Sequence, residues 1–326
     1  MRSSLNYWST SWLNPEGIDR RETLLAGQLI VVVTGSLVGS FVAIENSQVH
    51  FHGFPIDPNR KLMQIAQRLL DQMAFSATTD MIDPENRTRE VVEFENGCAS
   101  GSFEMWGHRL VGPSGSTSEV PWVILKFPGT GGRAEQASTH PAGALPEGSV
   151  LSVWAVNPPG YGTSGGKPSM TTMPAVIRCA VARVGSMHPH TRLLVTGNSL
   201  GCMWALYAAA NCQPDALLLR NPFSLRELIS GQWRYNWWNL GAARWIAGAV
   251  SGELDAVANA RQCHVPCMIV QSGNDSLIPV RFQAMVIEAL SGRNETLVIP
   301  GADHGDPMPE SMEIDFLAII RRLLIG

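Results

Sequence analysis

The sequence predicts an α/β fold: a mostly parallel central sheet flanked by helices, with an N-terminal extension before it and a short helical cap inserted in it. Three observations predict it. From about residue 90 onward, strand signals and helix signals alternate. Residues 121–127 (PWVILKF) and 150–156 (VLSVWAV) are apolar enough to be buried on both faces, as central parallel strands are. A further strand at 192–196 (RLLVT) runs straight into Gly197-Asn198-Ser199-Leu200-Gly201, which places G-x-S-x-G between a strand and a helix.

The remaining elements follow in order. Residues 90–94 and 102–110 read as an opening antiparallel pair. After the two central strands, residues 173–187 fit a helix, and residues 203–210 carry the helix that follows Ser199. Strands are predicted at 216–219, 267–271 (CMIVQ) and 296–299, and helices at 281–290 and 314–324. The segment 222–262 is the cap insertion, and 89–326 forms one α/β domain.

Residues 1–88 form the extension. From Thr23 to Ile44 it contains 22 residues without a charge, about 33 Å as a helix against a bilayer core of roughly 30 Å. Gly35 and Gly39 add a G-x-x-x-G pair, and Trp8 and Trp12 lie upstream. The expectation is a single-pass, membrane-associated protein. The alternative is a buried β-hairpin turning at Gly35-Ser36, in a cytoplasmic chain. Further on, Leu62, Ile65, Ala66, Leu69, Leu70 and Met73 recur at helical spacing over 59–75, and 80–89 reads as a loop.

Composition narrows the function. Of the 326 residues, 45% are hydrophobic and 16% charged, which suits a large buried core and argues against disorder. The net charge is −4 and no run of Lys or Arg tracks a groove, so nucleic acid is excluded as a partner. Cys263-His264-Val265-Pro266-Cys267 has the wrong spacing for a redox pair or a zinc knuckle, and the six cysteines are read as small core residues. No cofactor and no metal is expected. The glycines at 129–132 are not followed by Gly-Lys-Ser/Thr, so they do not form a phosphate cradle.

The chemistry lies in four segments: Phe127-Pro128-Gly129-Thr130-Gly131-Gly132, Asn157-Pro158-Pro159-Gly160-Tyr161-Gly162-Thr163-Ser164-Gly165-Gly166, the G-x-S-x-G turn, and Ser272-Gly273-Asn274-Asp275-Ser276-Leu277-Ile278-Pro279. In their order and context they resemble the α/β-hydrolase superfamily, from about residue 90 to the end. The similarity is greatest to its short-capped, often membrane-anchored branch of acyl-ester hydrolases and serine-aminopeptidase-like enzymes. The resemblance implies an α/β-hydrolase fold and a triad in the order Ser, acid, His. Ser199 is then the nucleophile, in a strained turn whose flanking glycines avoid the neighbouring strand and helix.

Asp275 follows the penultimate strand in the loop where the family places its acid, and His304 lies between the last strand and the last helix. Asp303 and Asp306 are nearer to His304 in sequence, which does not by itself give the needed geometry. The oxyanion hole draws on backbone N–H groups: one from Leu200, and one from Thr130 with Gly131 as alternative. Here Pro128-Gly129 replaces the family's common His-Gly opening. Tyr161, Phe223, Trp233, Trp237 and Trp238 are candidates to line the substrate pocket, the last four in an aromatic cap. The functional expectation is a serine hydrolase of small-molecule or lipid esters. A peptidase or amidase with the same triad is the enzymatic rival, and a non-catalytic membrane-tethered binding protein the rival of another class.

Overall fold

The computed structural model describes residues 29–31, 41–45, 48–52, 58–97, 99–110, 120–232 and 240–324. The chain forms two compact units, residues 1–65 and 66–326. In the first, strands β1 (Leu29–Val31), β2 (Phe41–Glu45) and β3 (Gln48–His52) make an antiparallel sheet in which Leu29 pairs with Ile44 and Phe41 with His52. This corrects the reading of 23–44 as one membrane-spanning helix. Its described residues are strands, in the manner of the hairpin alternative; the rest of the segment, including Gly35 and Gly39, lies outside the described residues. Val31 and the other β-branched residues favour a pleated backbone over a helix. No helix among the described residues is long and apolar enough to cross a membrane.

Helix α1 (Pro58–Ala74) realises the predicted period. Ala66, Leu70 and Ala74, four residues apart, are buried with Phe75 in the core of the second unit, whereas Met73 turns outward and is 37% exposed. The predicted boundary at residue 88 therefore falls too late, because this stretch already belongs to the core.

The main sheet comprises β4 (Thr88–Asn96), β5 (Ala99–Arg109), β6 (Trp122–Phe127), β7 (Val150–Asn157), β8 (Arg192–Asn198), β9 (Ala216–Arg220), β10 (Cys267–Ser272) and β11 (Asn294–Ile299). Its order is β11-β10-β9-β8-β6-β7-β5-β4, parallel from β11 to β7 and antiparallel from β7 through β5 to β4. Period-2 alternation splits the central strands β6 to β10 between two cores. On β6, Val123, Leu125 and Phe127 face one core, and Trp122 and Ile124 the other.

Helices cover both faces. The first core receives α2 (Met173–Met187), α3 (Gly201–Cys212), α4 (Leu225–Gln232), α5 (Leu240–Gly248), α6 (Ala256–Gln262) and α7 (Val280–Ile287). The second receives α8 (Glu313–Leu324), through Phe316, Ile320, Leu323 and Leu324. Residues 201–209 of α3 are buried all round, which explains their uninterrupted small and apolar sequence. Of the cap segment, α4 packs on α5, while α6 packs on α3 with Ala260 fully buried. The end of the predicted cap is thus part of the helical layer.

The anchoring of α1 gives a first prediction. Leu70→Ala should lower stability by about 2–5 kcal/mol, because a fully buried leucine is truncated in a packed core. Denaturant unfolding of the variant checks it, and a loss below about 0.5 kcal/mol, the scale of surface changes, would show that α1 is not part of the core.

Candidate active site

Strand β8 ends in the turn that carries Ser199, whose φ of +53° lies in the left-handed region. The glycines on either side are required by space. A Cβ on Gly201 would stand 2.1 Å from the Phe127 carbonyl oxygen, and one on Gly197 2.6 Å from that of Gly201. Three bonds lock the turn. The Ser199 N–H donates to the Arg220 carbonyl (2.9 Å), the Cys202 N–H to the Ser199 carbonyl (2.9 Å), and the Cys202 thiol to the Gly197 carbonyl (3.2 Å). Burial pushes that thiol far above its ordinary range, so it stays a neutral donor.

Two further loops reach the same point. His304 Nε2 is 3.0 Å from Ser199 Oγ, and His304 Nδ1 is 2.7 Å from Asp275 Oδ2. An ionised carboxylate only accepts, which places the ring proton on Nδ1 and leaves Nε2 free to accept from the serine hydroxyl. The Asp275 side chain is fully buried. Its Oδ1 accepts the N–H groups of Leu277 (3.0 Å) and Ile278 (2.7 Å), and its Oδ2 accepts from Gln283 Nε2 (3.0 Å) as well as His304. The structure thus brings Ser199, His304 and Asp275 into one hydrogen-bonded line.

Asp303, passed over as the acid, has a separate position. It accepts from the Ser276 N–H (2.7 Å), the His304 N–H (2.7 Å) and Ser276 Oγ (2.9 Å), bonds that hold its carboxyl below the usual range. It ties the acid loop to the histidine loop. Asn221 was not legible as a site residue. Fully buried at φ +52°, it exchanges hydrogen bonds with Ser272 and donates Nδ2 to the His304 carbonyl (3.3 Å). Gln283 carries no sequence signal. The one signal for Asn221 was an asparagine closing an apolar strand, since Asn tolerates positive φ.

The glycine-rich loop after β6 lies against the turn: a Cβ on Gly129 would be 3.4 Å from Ser199 Cβ. In a trans peptide the C=O and the following N–H point in opposite directions, so fixing a carbonyl aims the next N–H. Gly129's carbonyl accepts from the Gly132 N–H (2.9 Å), which aims the Thr130 N–H. Thr130's carbonyl accepts from the Tyr161 hydroxyl (2.5 Å), which aims the Gly131 N–H. Both candidate donors are therefore oriented. Leu200 sits at the N-terminal end of α3, where N–H groups lack intrahelical partners and the helix dipole is positive.

The expected pocket residues fare differently. Tyr161 is 1% exposed, too buried to line an open pocket, and instead braces the glycine-rich loop. Its hydroxyl also accepts the Ser76 N–H (3.0 Å), and burial pushes its phenol up to about 12, so it remains a donor. Phe223 is 4% exposed and packs in the first core. Trp233, Trp237 and Trp238 lie outside the described residues.

Residues 75–80 and a buried polar cluster complete the bracing. Phe75 stacks on Trp204 of α3 at 5.9 Å, and the Thr78 carbonyl accepts the Gly162 N–H (2.9 Å) and Arg133 Nη1 (3.0 Å). Arg133 pairs with Glu135 at 2.6 Å, both almost fully buried, and Asn157 Nδ2 donates to Glu135 at 2.9 Å. For Glu104, burial favours the neutral form, but bonds from Thr163, Arg89 and Asn157 outweigh it and lower its pKa. Among the described residues no group of three or more His, Cys, Asp or Glu is placed to hold a metal ion.

The strand order, the helices on both faces and the placement of this serine turn define the α/β-hydrolase fold. An esterase from Pyrococcus furiosus shares it with a TM-score of 0.54 and 16% identity, over 78% of this chain and 97% of that one. An acetyl xylan esterase from Paenibacillus sp. R4 matches with a TM-score of 0.50 and 17% identity, over 82% of this chain and 96% of its own. By sequence, two uncharacterised proteins of Mycobacterium tuberculosis, one from each of two strains, are each 28% identical over 221 residues, covering 67% of this chain and 72% of theirs. No family model matches the chain.

The bracing of the glycine-rich loop is testable. Tyr161→Phe keeps the ring contacts and removes the bond to Thr130. It should lower kcat about 10-fold with little change in KM, less than the roughly 10²–10³ lost with an oxyanion donor itself. Steady-state kinetics on a p-nitrophenyl ester decide it. An unchanged kcat would mean that the loop holds its shape without the phenol.

Proposed function

We propose that this chain is a serine hydrolase that cleaves carboxylic esters through an acyl-enzyme. One observation carries the proposal: the unbroken line from Ser199 Oγ through His304 to the buried Asp275, with bonds of 3.0 and 2.7 Å. Ser199 Oγ attacks the ester carbonyl carbon while His304 Nε2 takes its proton. The negative charge that develops on the carbonyl oxygen is met by the N–H groups of Leu200 and Thr130. As the intermediate collapses, His304 returns the proton to the departing alkoxide, which leaves as the alcohol. Water then attacks the acyl-enzyme, gives its proton to His304, and the acid leaves as Ser199 is restored. Asp275 holds the ring in the required tautomer and balances the imidazolium charge.

Ester rather than amide specificity draws support from the solved neighbours, which are esterases by name, and from the tryptophan-rich cap sequence. An apolar acyl group is the proposed preference. Each buried methylene contributes about 0.8 kcal/mol, so a three-carbon extension should raise kcat/KM by roughly 50-fold where that burial is realised in the transition state.

Two measurements test the reading. Ser199→Ala should abolish fluorophosphonate labelling and turnover in a folded protein, and Asp275→Asn and His304→Ala should each lower kcat by roughly 10³-fold or more. Labelling that persists in Ser199→Ala removes the nucleophile assignment. A comparison of p-nitrophenyl acetate, butyrate and octanoate with aminoacyl nitroanilides tests the substrate. Faster cleavage of the anilides would replace the esterase by a peptidase with the same triad.

A further inference from the structure

We propose that Gln283 is a positioning residue for Asp275: its buried amide nitrogen holds the carboxylate so that Oδ2 faces His304. The proposal rests on the triad reading above. Gln283 lies on α7, fully buried, and its Nε2 stands 3.0 Å from Asp275 Oδ2 and 3.0 Å from the Ile278 carbonyl. Both hydrogens of the amide are thereby used. The other end is unmatched, since Oε1 is buried with no hydrogen-bond partner.

That imbalance reveals what sets the orientation. A buried acceptor left without a donor is unfavourable, and nearly all buried polar groups avoid it. Flipping the amide would be worse here, because Oε1 would face both the carboxylate and the Ile278 carbonyl, acceptor against acceptor. The side chain is therefore oriented for Asp275, not for its own satisfaction.

The consequence falls on the histidine. Asp275 Oδ1 is held by the backbone N–H groups of Leu277 and Ile278, whereas Oδ2 is shared between His304 and Gln283. The amide hydrogen draws negative charge from the oxygen that meets the imidazole. Removing it concentrates that charge on the imidazolium's partner, so His304 should hold its proton to higher pH. One nearby cation is Arg220, at the end of β9, which donates to the Asp306 carbonyl of the histidine loop. The histidine loop carries Asp303 and Asp306, the first bonded to Ser276 and the His304 N–H. Of the elements packed against α7, β10 brings only Cys267 and α6 only Arg261; α4, whose Gly231 abuts the Phe282 ring, brings Arg226, paired with Asp255, and Glu227, bonded to Ser224; α7 itself carries Arg281, its guanidinium 4.6 Å above the Phe282 ring.

The test uses Gln283→Met and Gln283→Glu in the full chain, with kcat and KM for p-nitrophenyl butyrate across pH. Gln283→Met keeps the volume and loses the donor. It should lower kcat about 10-fold with KM nearly unchanged, and move the acidic limb of kcat/KM up by about half to one pH unit. Gln283→Glu should be active only between the pH at which His304 loses its proton and the pH at which the added carboxyl loses its own, a window in which that carboxyl can still donate to the same Oδ2. Its activity should fall once the paired carboxyls lose their shared proton, adding a new basic limb. Should Gln283→Met not fold, the new limb in Gln283→Glu decides alone. Profiles that keep the wild-type shape in a wild-type chain that reacts with fluorophosphonate overturn the proposal and leave the triad standing. A wild-type chain that does not react overturns both.

Discussion

Ser199 holds φ at +53°, a conformation that costs a residue with a Cβ about 1–3 kcal/mol, and the surroundings of the site are arranged to keep it there. The turn is possible only because β8 and α3 can approach without side chains at Gly197 and Gly201. It persists because three hydrogen bonds hold it: Ser199 N–H to the Arg220 carbonyl of β9, Cys202 N–H to the Ser199 carbonyl, and the Cys202 thiol to the Gly197 carbonyl. The helix that follows is buried on every side along residues 201–209, so the turn has no room to relax. Strain here is a consequence of packing, and it lifts the hydroxyl to the carboxyl end of the sheet, where the loops from other strands arrive.

Those loops are held by polar groups more than by apolar ones. The peptide planes of the glycine-rich loop are aimed through their carbonyls, by Gly132 and by Tyr161. Tyr161 in turn meets Ser76, and Arg133 reaches Thr78 and Asp80, so residues 75–80 belong to the scaffold of the site. The Arg133–Glu135 pair and Glu104 lie beneath the same loops. Breaking such a buried pair by removing one partner leaves an uncompensated charge, which makes these contacts costly to lose and the loop geometry well defined.

The acid and histidine loops obey the same logic. Asp275 accepts four hydrogen bonds, two on each oxygen, which offset the cost of burying its side chain. Asp303 and Asn221 fasten the histidine loop from its two sides, one through backbone N–H groups and the other through the His304 carbonyl. A buried network in which every oxygen of Asp275 is met by donors rigidifies its members, which suits the proposed reaction, where a serine, an imidazole and an oxyanion site must be aligned at once.

Much of this was legible in the amino-acid order. Alternation of strand and helix signals placed all eight strands of the main sheet within a few residues, because period 2 and period 3.6 are local properties of the chain. The glycines around Ser199 were legible for a steric reason that needs no coordinates. Other features were not. The charge-free run at 23–44 satisfied the length rule for a membrane helix, yet its described residues pair as strands, since hydropathy over a window does not distinguish the two. Tyr161 had the look of a pocket aromatic until its hydroxyl was seen on Thr130. Asn221 and Gln283 carry no motif at all. By itself, then, the sequence determined the fold class, the elements and the chemical types at the serine turn, all of which follow from local geometry and composition. Tertiary structure alone decided which groups share the Asp275 oxygens and which carbonyls the loops present. Those contacts, like the one between Ser199 and His304, 105 positions apart, come within reach only in the packed sheet.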